Sequence, residues 1–515
     1  MYMNSFWNKG EKDIIQGLDV LGLRSIDQHI ETQLLASITT ISIRARYLSL
    51  IPWIVGEFFD SHKGETNLDS DVFRQLLMQV FDRLELVLIL ATNHEKELDS
   101  KVLATGIIGA EVHKEITDEF NEKGEIDIII LKDKSTGNNY TNPTYGTYYN
   151  PCRGFGLLES SPTAPVKFGP NSNTIYQARK KIIREDSGVL AWLLHGGHLT
   201  KEMITEEAKY FSIDNIDSIP EEMQLLQEAF LNPYTSESEE VLESYSKFND
   251  TMVWTLNQLD ESKKPQELIY DNYDYCTSKE ATDLSEIELN WFEFELRRRV
   301  HFSLELLLKA LSYTLDELNG ATAIQVVNNW IEDIKFSNNI EDGSEHYYAL
   351  LSDYQNSLED DMFRKYQTPE NPSEQALHAI SILEVCRRQS IKLLDSISTV
   401  ENDYMRKAFE ILDELHTSKV YESIVKVTNF CVIEPHLKTT LRKMGQGQQC
   451  SLRFFPEGKK LVPTGIDTNA GVSGSRLNNT IRMMSDIGIC DALDNGNFIK
   501  NDMSDDVINR LRETA

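Results

Sequence analysis

The sequence predicts a mainly α-helical, multi-helix protein carrying winged-helix-like modules. Two observations predict it. Apolar residues recur at helical spacing through most of the chain. A pattern of helix, glycine stop, hairpin and helix closes it. The 515 residues are 40% hydrophobic and 26% charged, which suggests about three domains with ample core. With 51 Lys+Arg against 82 Asp+Glu the net charge is −31. The protein as a whole repels phosphate polymers and anionic membranes, which argues against a general nucleic-acid coat. Its apolar content is too high for a disordered acidic chain.

Residues 1–124 read as an N-terminal helical domain. Phe73, Leu76, Leu77, Val80, Phe81, Leu84, Val87 and Leu88 share helical spacing, with Asp69 or Ser70 as N-cap. Before them, 38–59 reads as a helix with a stripe of Ile41, Ala45, Leu48, Ile51 and Val55, kinked or restarted at Pro52. Arg44 and Arg46 are the only charges between Glu31 and Glu57. Amid so much apolar surface they require a carboxylate partner or an anion, as structural anchors or as partner contacts. Two apart on a helix, they are separated by about 200° and cannot face one partner. At least one is expected to tie this segment to a carboxylate elsewhere in the chain.

Residues 125–200 read as mixed α/β and winged-helix-like. IDIII, 126–130, is a short β-branched strand. Gly137 to Gly146 has loop composition. GFGLLE and VKFGP read as two strands around SSPTAP, followed by a helix from Thr174. Residues 201–436 form an acidic, long-helical region: 201–420 holds 45 Asp+Glu against 19 Lys+Arg. Helices are expected over 286–318, 374–397 and 401–430, the last with a break near Thr417. Asp342-Gly343 and Pro369 to Pro372 mark breaks between helices.

Residues 437–515, with 11 Lys+Arg against 9 Asp+Glu, read as a C-terminal winged-helix domain. Ser473 or Ser475 caps a helix whose inner face is Leu477, Ile481 and Met484. Gly488 stops it. ICDAL and NFIKN are strands around Asn495-Gly496, a hairpin-turn signal. The helix presents Ser475, Arg476, Asn478, Asn479 and Arg482, and Lys500 follows the wing. Asn and Arg can pair with base edges and Ser with phosphate. With only +2 on the domain, the balance tips slightly to protein docking by ordinary polar surface residues, because a dedicated DNA reader carries a stronger basic footprint.

Catalytic patterns are scarce. PEGKKL, 456–461, lacks the first glycine and the hydroxyl of a P-loop. HExxH and GxSxG are absent. His195 and His198 flank two glycines with no third ligand near in sequence, a glycine turn with exposed histidines. EIDIIILKDK offers Glu125, Asp127, Lys132, Asp133 and Lys134 to a divergent metal-dependent nuclease, but Ile130 stands where the acid-x-lysine pattern needs its acid. Arg297, Arg298 and Arg299 splay around a helix and suit intramolecular ion pairs. Six cysteines, none in CxxC spacing, read as buried thiols of a reducing compartment. Lys9, Glu11, Lys12 and Asp13 stand where a signal peptide would need its apolar core, so none is expected, and no apolar stretch reaches membrane-helix length. A cytoplasmic protein without catalytic residues, metal or cofactor is expected.

Two stretches carry a resemblance. ITTISIRARYLSLIPW, 38–53, is similar to a segment near the start of proteins from bacterial anti-phage and anti-plasmid operons. With the SRLNNxxxxxxDIGI end and the acidic helical middle, the chain resembles the accessory, non-nuclease subunit of a Lamassu-type defence system. The resemblance implies two partners, an ATPase resembling the structural-maintenance-of-chromosomes proteins and an effector that is often a nuclease. It implies an interaction or scaffold subunit bridging them, with any DNA contact made through the complex. It carries no active-site residue. The other readings of the residues are a winged-helix DNA-binding regulator and the divergent nuclease around 125–134.

Overall fold

The computed structural model describes residues 19–36, 38–63, 70–99, 106–130, 143–160, 166–184, 186–214, 216, 219–231, 239–338, 371–413, 420–446, 451–472 and 474–514. The protein is mainly α-helical, and the strands among these residues form four small two-stranded antiparallel sheets. Among the described residues no helix is long and apolar enough to cross a membrane. The chain divides into two compact units, each discontinuous in sequence: residues up to 30 with 269–474, and 31–268 with 475–515.

The first unit is organised on the 32-residue helix Glu286–Glu317. Ser285 and Glu288 form a reciprocal capping box at its start. Phe292, Leu296, Leu304, Leu307, Leu311 and Leu315 are fully buried along it, against Pro372–Ser390, whose first turn Asn371 caps. Arg297 to Arg299 bury beside these apolar residues because each is matched. Arg297 pairs with Glu293 and Asp403, and Arg298 and Arg299 both pair with Glu295. The Arg299 guanidinium also lies 3.9 Å from the centre of the Tyr273 ring.

The helical run Val420–Val427 passes through a π-helical turn, Thr428–Ile433, into Glu434–Gly445. The wider turn immediately precedes Pro435, whose ring would clash with the carbonyl four residues back in a regular helix. The change of composition at 437 therefore falls inside a helix, and the compact units divide at 474/475. PEGKKL forms a hairpin, Phe454–Glu457 with Lys460–Pro463. Its two-residue turn begins with Gly458 at φ +64°.

In the second unit the helix Tyr47–Ser61 is buried on all sides from Tyr47 to Phe58. It begins nine residues after the start of the expected helix at 38 and runs through Pro52. Thr39 and Ser42 exchange side-chain and backbone hydrogen bonds, holding 39–42 as a loop. Ile41 is accordingly 57% exposed, not a stripe member. Ser70–Leu98 forms one helix of 29 residues. The expected strand at 126–130 is Glu125–Ile128, paired antiparallel with Gly197–Thr200. The expected loop to Gly146 is overturned at 143–154, which is a helix with Tyr148 and Cys152 buried on its inner side. Its Gly, Pro and Asn content masks the helical period, a tertiary override of propensity. Leu158–Glu159 and Lys167–Phe168 form a minimal hairpin followed by the helix Ser172–Ile182. Lys132, Asp133, Lys134, Asp342, Gly343, Pro369, Thr417, Cys450 and Ser473 lie outside the described residues.

Candidate functional site

The C-terminal segment of the second unit is built as a helix, a turn, a hairpin and a helix. Leu477–Asp486 buries Leu477, Ile481 and Met484, and Gly488 at φ +73° releases the chain from it. Cys490–Ala492 and Phe498–Lys500 pair antiparallel, and Leu493 pairs with Asn497 across a three-residue tip with Gly496 at φ +78°. The helix Asp502–Thr514 follows. Lys263 exchanges two backbone hydrogen bonds with Phe498 as an isolated bridge, and Lys500 N donates to the Leu259 carbonyl, so the chain at 259–263 is tied to the edge of the hairpin.

Most of the candidate recognition residues are occupied within this unit. Ser475 Oγ donates to Glu31 Oε1 (2.6 Å) and accepts from Leu477 N. The Arg476 guanidinium bonds Thr32 Oγ1 (2.8 Å) and the Ile38 carbonyl and pairs with Glu31 (3.2 Å). Asn479, buried, donates to the Thr39 carbonyl (2.8 Å). Lys500 pairs with Asp505 (2.6 Å) and Asp260 (3.3 Å), bonds that hold its ammonium above the usual lysine range. Asn478 is exposed, and its amide reaches no further than Asn479. Half-buried Arg482, one turn on, has no hydrogen-bonding or ionic partner among the described residues. The face left for recognition thus reduces to Asn478 and Arg482.

The hairpin tip is acidic. Residues 491–496 are all exposed, and Leu493 stands there between Asp491 and Asp494. Residues 475–515 carry seven carboxylate side chains against five Lys and Arg. An apolar residue inside an acidic rim suits a basic protein surface better than a phosphate backbone.

Arg44 and Arg46 are both buried and take different partners. Arg44 Nε donates to Asp486 Oδ2 (2.9 Å), its Nη2 pairs with Asp214, and Ala45 N also donates to Asp486. Burial works against the Arg44 cation, but the two carboxylates outweigh it and hold the guanidinium charged. Tyr148 Oη accepts from Arg44 N and donates to the Arg44 carbonyl, both at 2.9 Å. Arg46 meets Glu222 at 3.3 and 3.0 Å and donates to the Ser212 carbonyl. Glu222 also accepts from Arg179 (2.5 Å) and from Ser49 Oγ. Burial would raise the Glu222 carboxyl; the Arg179 and Arg46 charges overcome that and keep it below its ordinary value. Residues 44–46 precede the helix, so the 200° argument for a regular helix does not govern them.

His195 is exposed at a helix end, and His198 lies on the strand beside Glu125 (3.4 Å). Glu125 and Asp127 occupy the paired strand. Among the described residues no three His, Cys, Asp or Glu are grouped to hold a metal. Cys152, Cys276, Cys386, Cys431 and Cys490 are buried and unbridged, and burial raises each thiol above its ordinary value. One cluster had no separate sequence signal beyond an i,i+4 pair: in the first unit His301 lies between Asp27 (3.0 Å) and Glu305 (3.1 Å), and Arg24 also pairs with Glu305. Comparisons with protein-family models, curated proteins and solved structures return no match for this chain.

Proposed function

We propose that the protein is a non-catalytic interaction subunit of a bacterial anti-phage or anti-plasmid defence complex. In this reading it bridges an ATPase resembling the structural-maintenance-of-chromosomes proteins and an effector nuclease. The segment 475–514, with residues 259–263 tied to the edge of its hairpin, acts as a winged-helix module used for docking. The observation that carries the proposal is the exposed tip with Leu493 between two aspartates, because its chemistry selects a protein surface over a polyanion. The resemblance of residues 38–53 and of the C-terminal end supplies the class of partner.

Coexpression with each protein encoded beside its gene tests the proposal. The ATPase is expected to co-purify with the wild type and to be lost from Leu493→Asp. A chain that stays monomeric beside every neighbour overturns it. Arg482, without a partner among the described residues, favours a second reading, a winged-helix DNA-binding regulator. That reading requires binding to duplex DNA that falls steeply with salt and is lost in Arg482→Ala.

A further inference from the structure

We propose that a cleft of about 200 Å³ in the first unit binds the phosphate group of a small molecule. The cleft lies between the segment 21–26 and the helix Glu434–Gly445. It is a site separate from the docking surface, and nothing in the proposed bridging role requires it.

Its first wall is fixed before any ligand arrives. The Asp19 carboxylate accepts the backbone N–H groups of Gly22, Leu23 and Arg24. The helix Glu434–Gly445 grips the same segment: Thr439 Oγ1 donates to the Leu21 carbonyl, and Lys443 donates to that of Asp19. Gly22 permits this approach, since it holds φ +78° and a Cβ there would stand 2.7 Å from Thr439 Oγ1. The segment is therefore a pre-organised wall, and its backbone donors are already satisfied.

The opposite wall supplies charge. Lys438 and Arg442 stand one turn apart, and both line the cleft. Lys438 reaches the amide oxygen of Asn402 (3.1 Å). Arg442 has no hydrogen-bonding or ionic side-chain partner among the described residues. Neither is paired with a carboxylate there, although the chain carries a net charge of −31 and Glu401 stands on the rim. Two adjacent cations suit a phosphate dianion, and they carry the donor set by themselves, because the Ser25 hydroxyl donates to the Gly22 carbonyl and the Asn402 amide to Glu401. Leu21, Leu23, Ile26 and Tyr404 complete the lining with apolar surface, which suits a phosphate carried on a small organic body. The volume is below that of a drug-sized pocket, so the ligand is small.

Calorimetric titration of the full chain with inorganic phosphate and with AMP, at matched ionic strength, tests the proposal. Saturable binding is expected. Lys438→Gln and Arg442→Gln should each weaken it about tenfold, the loss of one charge-assisted contact. Arg442→Lys, which keeps the charge, should retain most of it. Tighter binding of AMP identifies a phosphorylated ligand, and equal binding identifies free phosphate. No saturable binding of either probe, or equal binding by wild type and the Lys438→Gln/Arg442→Gln double variant, overturns the assignment.

Discussion

Replacing Glu222 by glutamine removes one negative charge at almost constant volume. In the native site this carboxylate takes the Arg46 guanidinium through both oxygens, the Arg179 guanidinium at 2.5 Å and the Ser49 hydroxyl. All three ionic groups are essentially excluded from water. A glutamine leaves two buried guanidinium groups facing each other with one neutral oxygen between them. Its amide N–H₂ must also point at a donor. Breaking a buried pair from one side costs about 3–5 kcal/mol, and the like-charge contact left behind puts Glu222→Gln at the upper end. Arg46→Met removes one of the two cations, so Glu222 keeps Arg179 and the loss should be nearer about 3 kcal/mol. Combining the two should cost at least about 1 kcal/mol less than the sum, because the second change relieves part of the first. The assay is urea denaturation with hydrogen exchange read on peptides from Tyr47–Ser61, which report on the unit containing the site. A loss below about 1 kcal/mol for Glu222→Gln, the range of an exposed pair, refutes the anchoring argument.

Stability should also fall on the alkaline side. Burial lowers the His301 pKa, but the hydrogen bonds and charges of Asp27 and Glu305 raise it overall to about 10 from 6.5. The protonated ring therefore stabilises the fold fully below pH 6.5 and ceases to do so as pH rises towards 10. At about 1.4 kcal/mol for each pH unit crossed, the ceiling is about 5 kcal/mol. Denaturation midpoints of wild type and His301→Gln across this range should converge at high pH, and parallel curves would sink the idea. Arg476→Ala should cost about 1–3 kcal/mol because it strips hydrogen bonds from Glu31, Thr32 and the Ile38 carbonyl. Arg482→Ala should stay within about 0.5 kcal/mol. Thermal melts compare the two, and equal losses would contradict the division between structural and free arginines.

Legibility in the sequence follows the range of the forces involved. Glu286–Glu317 is readable to within a residue because its capping box and its apolar period are both local. The C-terminal helix, glycine stop and hairpin are legible for the same reason. The start of Tyr47–Ser61 is not, since an apolar run conceals the Thr39–Ser42 exchange that holds the chain out of helix. The helix at 143–154 is hidden by turn-forming residues. That Arg44 and Arg46 need carboxylates follows from their apolar surroundings. That those carboxylates are Asp214, Asp486 and Glu222 is long-range information no local pattern carries. Long-range contact also decides the candidate recognition residues: spacing puts Ser475, Arg476 and Asn479 on a polar face, while Glu31, Thr32 and Thr39 consume their donors.

A photoreactive side chain introduced at position 493 tests the docking account most directly. In cells coexpressing the proteins encoded beside its gene it should yield one dominant adduct, with the ATPase that the proposed bridging role requires. The same group placed at Ile391, exposed on the other compact unit, should yield much less of that adduct. Adducts with the ATPase from 391 but not from 493, or adducts with DNA alone from 493, would contradict a protein-docking role for the tip.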